Sequence, residues 1–281
     1  MRLVTFRKKD EKKEYVGIWK EDDTVAELPY ASMNELILKG EKIEETDKEV
    51  LSFKDIELLS PIPQPLEDVL CLGLNYTEHA KEASGYSREA FTSNKEEAIF
   101  FSKRVAYSQG TDAPIPSHAD LTERLDFENE LAVIIAKDCV NVREDDVEEY
   151  IFGYTVLNDV SARDLQTRHK QWYFGKSLDG FTPMGPCIVT KDEIAFPPSL
   201  DLITKVNGEV RQNSNTSLLI HSIPEIIATL SKGMTIKAGT IIATGTPKGV
   251  CMGMEHPVFL KKGDVVSCWI EKIGELKNTV E

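Results

Sequence analysis

Acidic side chains recur at alternate positions in the segment 125–135, just before a continuous apolar run. Asp126, Glu128 and Glu130 are two residues apart, so on a β-strand they would share one face. Carboxylates this close repel one another and lose hydration beside an apolar core, and a divalent cation would remove both penalties. Taken alone, the segment is explained equally well as an exposed acidic edge before a core strand.

A third carboxylate, Asp159, lies where a strand predicted at 151–157 leads into a helix predicted at about 162–173. An isolated aspartate at such a junction is best explained as a helix N-cap. Together with the acidic segment, however, it completes a set of three carboxylates at strand ends. Oxygen ligands without a cluster of Cys or His select a hard cation, so the sequence favours Mg²⁺ or Mn²⁺ over Zn²⁺.

Three further side chains could move a proton or stabilise an oxyanion. On a helix His79 and Glu82 would share a face, and a carboxylate against the imidazole would raise its basicity and make a general base for water. An ordinary surface pair has the same spacing. Lys176 stands among aromatic and glycine residues rather than in a charge run. A lysine there can stabilise an oxyanion, although most lysines only solvate a surface.

Two polar, glycine-containing stretches could contact a substrate. The turn 243–250 could present hydroxyls and backbone N–H groups to a carboxylate, or it could be a plain turn. The stretch 84–89 could be a mobile lid or an ordinary loop.

The elements that must position these groups are mostly strands. Residues 1–62 are predicted to form a small N-terminal α/β module, in which a helix begins with capping-box spacing at Ser32 and runs to Lys39. Prolines at alternate positions follow at 61, 63 and 65, so we place a domain boundary there and assign 63–281 to the catalytic domain. Strands dominate the remainder without regular strand–helix alternation, which favours a β-rich α+β fold over a doubly wound sheet.

Composition excludes several classes of function. The chain of 281 residues carries a formal net charge of -14, which makes nucleic acid and anionic membrane surfaces poor partners. No apolar run reaches the ~18 residues needed to cross a bilayer. The five cysteines include no close pair, which indicates reduced thiols in a cytoplasmic protein and excludes a zinc knot. No glycine-rich nucleotide motif is present.

Taken together, these segments resemble the fumarylacetoacetate hydrolase family over roughly residues 69–266. The resemblance rests on four motifs in the right order: Asp-Phe-Glu-Asn-Glu-Leu-Ala at 126–132, Gly-Tyr-Thr-Val-Leu-Asn-Asp-Val-Ser-Ala-Arg-Asp-Leu-Gln at 153–166, Gly-Lys-Ser-Leu-Asp at 175–179, and Ala-Thr-Gly-Thr-Pro-Lys-Gly-Val at 243–250. Each motif is weak alone, and the ordered set is specific. The chain departs from many relatives at Ser102-Lys103-Arg104, at His221 and at Cys251.

The resemblance implies a rolled mixed β-sandwich, usually a homodimer, and a role for each site residue. It implies three metal ligands: Glu128, Glu130 and Asp159. It implies that His79 with Glu82 activates water and that Lys176 stabilises an oxyanion. It implies substrate contacts from Arg163, Gln166 and Thr246. Asp126 matches the motif but is not a usual ligand, so it is left out of this set.

The expected function is a hydrolase or lyase, dependent on Mg²⁺ or Mn²⁺, that cleaves carbon–carbon bonds of small 2-oxo acids through a metal-stabilised enolate. Acylpyruvates and oxaloacetate are the expected substrates. The alternative within enzymes is a 2-hydroxyhepta-2,4-diene-1,7-dioate isomerase or decarboxylase of aromatic catabolism, with the same metal and base. From another class, a catalytically silent metal-binding or small-molecule-binding protein would use the same carboxylates.

Overall fold

The computed structural model describes residues 1–44, 49–91 and 97–281. These ranges contain eighteen strands and five α-helices. The strands are β1 Arg2–Lys8, β2 Glu14–Trp19, β3 Thr24–Glu27, β4 Val50–Ser52, β5 Ile56–Leu58, β6 Val69–Gly73, β7 Ile99–Lys103, β8 Pro114–Ile115, β9 Leu125–Asp126, β10 Asn129–Ile135, β11 Ile151–Asn158, β12 Ser161–Ala162, β13 Met184–Thr190, β14 Asp201–Val206, β15 Glu209–Asn215, β16 Ile241–Ala243, β17 Val265–Ile270 and β18 Gly274–Val280. The helices are α1 Met33–Lys39, α2 Thr77–Tyr86, α3 Arg163–Arg168, α4 Tyr173–Lys176 and α5 Ile223–Gly233.

A large mixed sheet forms the body of the molecule. Its strand order is β4-β3-β2-β1-β13-β11-β10-β16-β6-β7, with β5 paired to β1. The central strand β10 is buried at every position, because successive side chains point to opposite faces and both faces are covered. Leu131, Val133 and Ile135 belong to one apolar core and Ala132 and Ile134 to another. The continuous apolar run of β10 is therefore what a strand covered on both faces requires.

A second sheet, in the order β15-β14-β17-β18-β8, packs against the first. Alternate residues of its strands enter the core shared by the two sheets, among them Leu202, Val266, Cys268 and Leu276. The pair β9–β12 stands apart from both sheets, with Asp126 opposite Ser161. This β-rich sandwich confirms the predicted fold class.

The N-terminal strands extend the large sheet. β1 pairs antiparallel with β13, with Arg2 opposite Val189. Helix α1 is capped as the sequence predicts, since the Ser32 side chain accepts a hydrogen bond from the Glu35 backbone N–H at 3.2 Å and the helix ends at Gly40. The first strands thus share hydrogen bonds with the rest of the chain, and the domain boundary at residue 62 stays a prediction.

The helix predicted at 162–173 is wrong in one respect, because two short helices replace it. The chain turns after α3 at Lys170, whose φ of 61° lies in the left-handed region and cannot continue an α-helix. Helix α4 then returns against α3, and a Cβ at Gly175 would lie only 2.4 Å from the backbone nitrogen of Gln166. The glycine therefore permits the close approach that brings Lys176 and Gln166 to one site.

Two expectations about the whole chain can be compared with the structure. None of the helices in the described ranges has the length and hydropathy that a membrane span requires. All five cysteines are buried and unpaired, as expected for reduced thiols.

Candidate metal centre and active site

The three carboxylates selected from the sequence converge in the structure. Glu128, Glu130 and Asp159 are buried, and each offers an oxygen within 4.8 Å of those of the other two. Strand pairing explains the convergence, because Asn129 lies opposite Asn158 and so brings the residues just outside these strands together. The Asp159 backbone N–H donates to the Glu128 carbonyl at 2.8 Å and fixes the two loops to each other.

The acidic segment is not one continuous strand, and the expectation that its three carboxylates share a face is wrong. The strand is interrupted at Phe127 and Glu128, between β9 and β10. Glu128 and Glu130 line a cavity, whereas Asp126 does not. The Asp126 carboxylate instead accepts hydrogen bonds from the backbone N–H groups of Cys251 and Met252.

Three buried cations surround the carboxylates. Lys176 Nζ lies 2.6 Å from Glu128 Oε2 and 2.8 Å from Asp159 Oδ2. Arg163 Nη1 lies 2.7 Å from Glu128 Oε1. Lys103, at the end of β7, pairs with Asp159 Oδ1 and also donates to the Val160 carbonyl at 3.0 Å. The role of Lys103 was missed in the sequence, although a lysine that ends an apolar strand was a usable signal.

Charge is unevenly balanced over the cluster. Burial alone would raise the pKa of Glu128, but Lys176 and Arg163 outweigh it and hold that pKa below its usual range. Burial raises the pKa of Glu130 well above its usual value, and the neighbouring Asp159 and Glu128 raise it further. Burial also lowers the pKa of the Lys103 ammonium, despite its contact with Asp159. Glu130 is therefore the carboxylate least compensated by protein cations.

The donor set fits a hard divalent cation. The three groups offer only oxygen, which suits Mg²⁺ or Mn²⁺. Within the described residues Glu130 forms no ion pair, and its carboxylate accepts a hydrogen bond from the Gly245 backbone N–H at 2.7 Å. A divalent cation at the cluster would neutralise this uncompensated charge.

The predicted base pair lies on helix α2 beside the carboxylates. His79 is buried and lines the cavity. Its Nδ1 is 3.7 Å from Glu82 Oε2, longer than a hydrogen bond, and has no other hydrogen-bond partner in the described residues. Glu82 is held by the Gly249 backbone N–H, which lies 3.0 and 3.1 Å from its two oxygens. A small movement of the imidazole would complete the contact between the two side chains.

The predicted substrate residues lie on the polar side of the same cavity. Arg163 is completely buried, and its Nη2 has no hydrogen-bond partner in the described part of the chain. Gln166 Oε1 accepts from Arg163 Nη1 at 3.1 Å. Thr246 Oγ1 donates to the Asn129 carbonyl at 3.0 Å and accepts from Gln212 Nε2 at 2.8 Å. Arg163 Nη2 is therefore a buried donor with no protein acceptor in the described part of the chain.

The other side of the cavity is apolar, which the sequence did not reveal. The cavity is small, with a volume of about 10 Å³, and its apolar lining is Leu72, Leu74, Phe91, Phe101, Trp172 and Met252. The Trp172 ring packs against Phe91 and Phe101, with centroid distances of 5.5 and 5.2 Å. A Cβ at Gly73 would come within 2.2 Å of the Trp172 ring, so the indole lies directly on the backbone. Aromatic residues in apolar segments normally form core, so nothing in their spacing marked them as cavity residues.

Known proteins resemble this chain over most of its length. Residues 68–281 match the family model described as fumarylacetoacetate (FAA) hydrolase C-terminal. Oxaloacetate tautomerase YisK of Bacillus subtilis strain 168 is 44% identical over 229 residues, which cover 82% of this chain and 74% of that protein.

Solved structures give the same result for the fold. A fumarylacetoacetate hydrolase from Exiguobacterium antarcticum superposes with a TM-score of 0.88 at 37% identity, covering 100% of this chain and 99% of that one. A 2-hydroxyhepta-2,4-diene-1,7-dioate isomerase from Mycobacterium marinum superposes with a TM-score of 0.77 at 32% identity, covering 100% and 98% of the two chains.

Proposed function

Because the chain belongs to the fumarylacetoacetate hydrolase family, we propose that it cleaves carbon–carbon bonds of small 2-oxo acids with the help of Mg²⁺ or Mn²⁺. Family membership confirms the resemblance seen in the sequence and makes the protein an enzyme. The observation that carries the proposal is the convergence of Glu128, Glu130 and Asp159 beside a cavity that also contains His79 and Lys176.

The metal would be held by Glu128, Glu130 and Asp159 and would supply Lewis-acid stabilisation of negative charge on the 2-oxo group of the substrate. Arg163 Nη2, buried without a protein acceptor, would donate to the substrate carboxylate, which is the acceptor that a guanidinium matches best. Gln166 and Thr246 lie on the same side of the cavity and would fix the orientation of the polar end.

His79 is the proposed general base for hydrolysis of an acylpyruvate. Its Nδ1 faces Glu82, so Nε2 is the nitrogen free to take a proton from water. Glu82 cannot turn away easily, because Gly249 holds its carboxylate. The water oxygen attacks the distal carbonyl, and the Lys176 ammonium donates to the oxyanion that develops there. Breakage of the carbon–carbon bond then releases a carboxylic acid and the enolate of pyruvate, which takes up at carbon the proton that His79 accepted from water.

Oxaloacetate needs less from the base. Its decarboxylation breaks the bond to CO₂ without attack by water, and Lys176 would again stabilise the developing negative charge. Its tautomerisation only moves a proton, which His79 could carry. The Bacillus subtilis relative is named an oxaloacetate tautomerase and the Mycobacterium marinum structure a dienedioate isomerase, so proton transfer without bond cleavage is the second candidate function.

One set of assays separates these activities. Acetylpyruvate, oxaloacetate and a hydroxydienoate are incubated with the protein in Mg²⁺, in Mn²⁺ and after exhaustive chelation. We expect cleavage to depend on the metal. Cleavage of acetylpyruvate should be lost in His79→Ala and retained in His256→Ala, a matched change at an exposed histidine. Proton exchange or tautomerisation without cleavage of any substrate would favour the isomerase, and full activity after chelation would refute the metal site.

A homodimer and a cytoplasmic location are also expected, the first from the family resemblance and the second from the cysteine pattern. Light scattering coupled to size-exclusion chromatography would measure the mass in solution against the 31.5 kDa of one chain.

A further inference from the structure

We propose that Asp126, which does not line the cavity, is a positioning residue. It fixes the general-base pair, His79 with Glu82, and the substrate-binding Arg163 in position relative to each other. The proposal rests on the function proposed above for His79, Glu82 and Arg163. It concerns a carboxylate that the sequence motif contains but that the three-carboxylate cluster does not use.

The first contact of Asp126 is with the segment 249–253, which follows the glycine-rich turn. Asp126 Oδ1 accepts from the Cys251 backbone N–H at 2.7 Å, and Oδ2 accepts from the Met252 N–H at 3.0 Å. Asp126 is completely buried, so no water competes for these bonds. They fix the start of the 3₁₀ turn Cys251–Gly253.

The segment 249–253 in turn positions Glu82. Gly249 donates its backbone N–H to the Glu82 carboxylate, and Gly253 lies so close that an added Cβ would be 2.5 Å from the carboxylate carbon. Met252, between them, lines the cavity. Displacement of this segment would therefore move Glu82, and with it the orientation of His79.

The second contact of Asp126 is with Arg163. Arg163 Nε donates to Asp126 Oδ2 at 2.8 Å, and Arg163 also lines the cavity. Arg163 Nη1 meanwhile contacts Glu128. Two carboxylates thus hold the guanidinium plane, which leaves Nη2 as the one group without a partner in the described chain. Removal of Asp126 would let the guanidinium rotate about its contact with Glu128.

Asparagine is the substitution that separates positioning from packing. It has the shape of aspartate, but its amide has one acceptor atom and two N–H donors. The carboxylate accepts from four N–H donors, those of Phe127 and Cys251 at Oδ1 and those of Met252 and Arg163 at Oδ2, so in Asp126→Asn two of these donors face an N–H group instead. We expect Asp126→Asn to fold and to hold the segment 249–253 or Arg163 less tightly.

The first test compares two reactions of one enzyme. Acetylpyruvate hydrolysis needs the base and oxaloacetate decarboxylation does not, so kcat for hydrolysis should fall at least about tenfold relative to kcat for decarboxylation. The kcat of the double variant Asp126→Asn/Glu82→Gln for acetylpyruvate should lie within about twofold of that of Glu82→Gln alone, because on kcat both changes act through the same pair, whereas loosening of Arg163 raises KM. An equal fall in kcat for both reactions, or additive falls in kcat in the double variant, would overturn the proposal.

A second variant, Cys251→Pro, removes one hydrogen-bond donor to Asp126 and leaves Asp126 itself unchanged. Cys251→Pro has no backbone N–H for Asp126, and it fits the first position of the turn because Val250 is already extended, with φ -69° and ψ 162°. It should lower hydrolysis selectively while the KM for both substrates stays near that of the unchanged protein, since Arg163 keeps its partner. Selective loss of decarboxylation would contradict the proposed connection.

Hydrogen exchange tests the connection without any turnover. In Asp126→Asn the amides of Met252 and Gly249 should exchange faster, while amides of β10 keep their protection. Unchanged protection at these two amides would refute the inference even if hydrolysis slowed. Protein that shows the altered exchange but cleaves no 2-oxo acid, before or after the substitution, would refute the proposed function and leave the structural connection standing.

Discussion

At the scale of single residues, two of the three carboxylates are neutralised by side chains of the protein itself. Lys176 bridges Glu128 and Asp159, and Lys103 contacts Asp159 from the other side. Burial of these carboxylates would otherwise be costly. A metal ion bound by the same oxygens would weaken the hold of Glu128 and Asp159 on Lys176, which would then be able to turn its ammonium towards substrate.

Lys176→Met should separate the two roles of Lys176, which are to pair with the buried carboxylates in the absence of metal and to stabilise an oxyanion during hydrolysis. Hydrolytic kcat should fall by roughly 10²–10³, the usual effect of losing one oxyanion donor. Without metal, the free energy of unfolding should fall by about 3–5 kcal/mol, because one partner of a buried ion pair is removed. Urea unfolding with and without Mn²⁺ measures this, and Mn²⁺ should restore much of the loss. Exposed Lys262→Met is the control, and equal metal-free stability of the two variants would contradict the prediction.

Glu130 should make the metal-free protein sensitive to pH. Its folded pKa is raised, so its contribution to stability is complete below the unfolded value near 4.3 and is lost as the pH rises towards the folded pKa. Relative to Glu130→Gln, the unchanged protein should lose up to about 1.4 kcal/mol per pH unit in that window. Urea unfolding from pH 5 to 8 measures the difference, and Glu255→Gln, an exposed control that keeps Glu130, should follow the unchanged protein.

At the scale of elements, the site depends on how closely helix α2 packs on the segment 249–253. Gly253→Ala would put a methyl group within 2.5–2.9 Å of the Glu82 carboxylate atoms and force that side chain away. We expect hydrolysis to fall on the order of 10²-fold with little change in the midpoint of thermal unfolding. Gly85→Ala, in helix α2 and with no atom within 4 Å of the new Cβ, should leave hydrolysis unchanged. Equal activity of the two variants would show that the close contact of Gly253 with Glu82 has no effect on hydrolysis.

The sequence predicts elements best where a local pattern determines them. The apolar run of β10 and the Ser32 cap of α1 are local, and both are found as predicted. The interruption at Phe127–Glu128 and the reversal at Lys170 are not visible in hydrophobic spacing, because tertiary contacts produce them. For the same reason the partners of Asp126, far away in sequence, could not be inferred from the motif that contains it.

Site chemistry follows a similar rule. Carboxylates such as Glu128 and Asp159 were identified because acidic groups beside apolar runs are costly and therefore informative. The aromatic side of the cavity, with Trp172 lying on Gly73, uses residue types that are ordinary in a core. Its position depends on the turn that separates α3 from α4, which hydrophobic spacing does not show.

At the scale of the whole molecule, metal binding should be visible as stability. A ligand that binds only the folded state at 100 times its Kd adds about 2.7 kcal/mol to the free energy of unfolding. Mn²⁺ or Mg²⁺ should therefore raise the thermal midpoint of the unchanged protein and of Glu149→Ala, an exposed control. Glu128→Ala and Asp159→Ala should show almost no shift. An undiminished shift in either variant would refute the proposed ligand set.

The pairing of β1 with β13 also bears on how the chain is made. Residue 2 meets residue 189 across the sheet, so β1 acquires this neighbour long after its own synthesis. Until then β5 covers only the end of β1 at Phe6–Lys8, and the part that later meets β13 is an open edge that can pair with other chains. Non-local contacts of this kind form slowly. A chain that terminates before β13 should therefore be aggregation-prone and depend on chaperones to stay in solution.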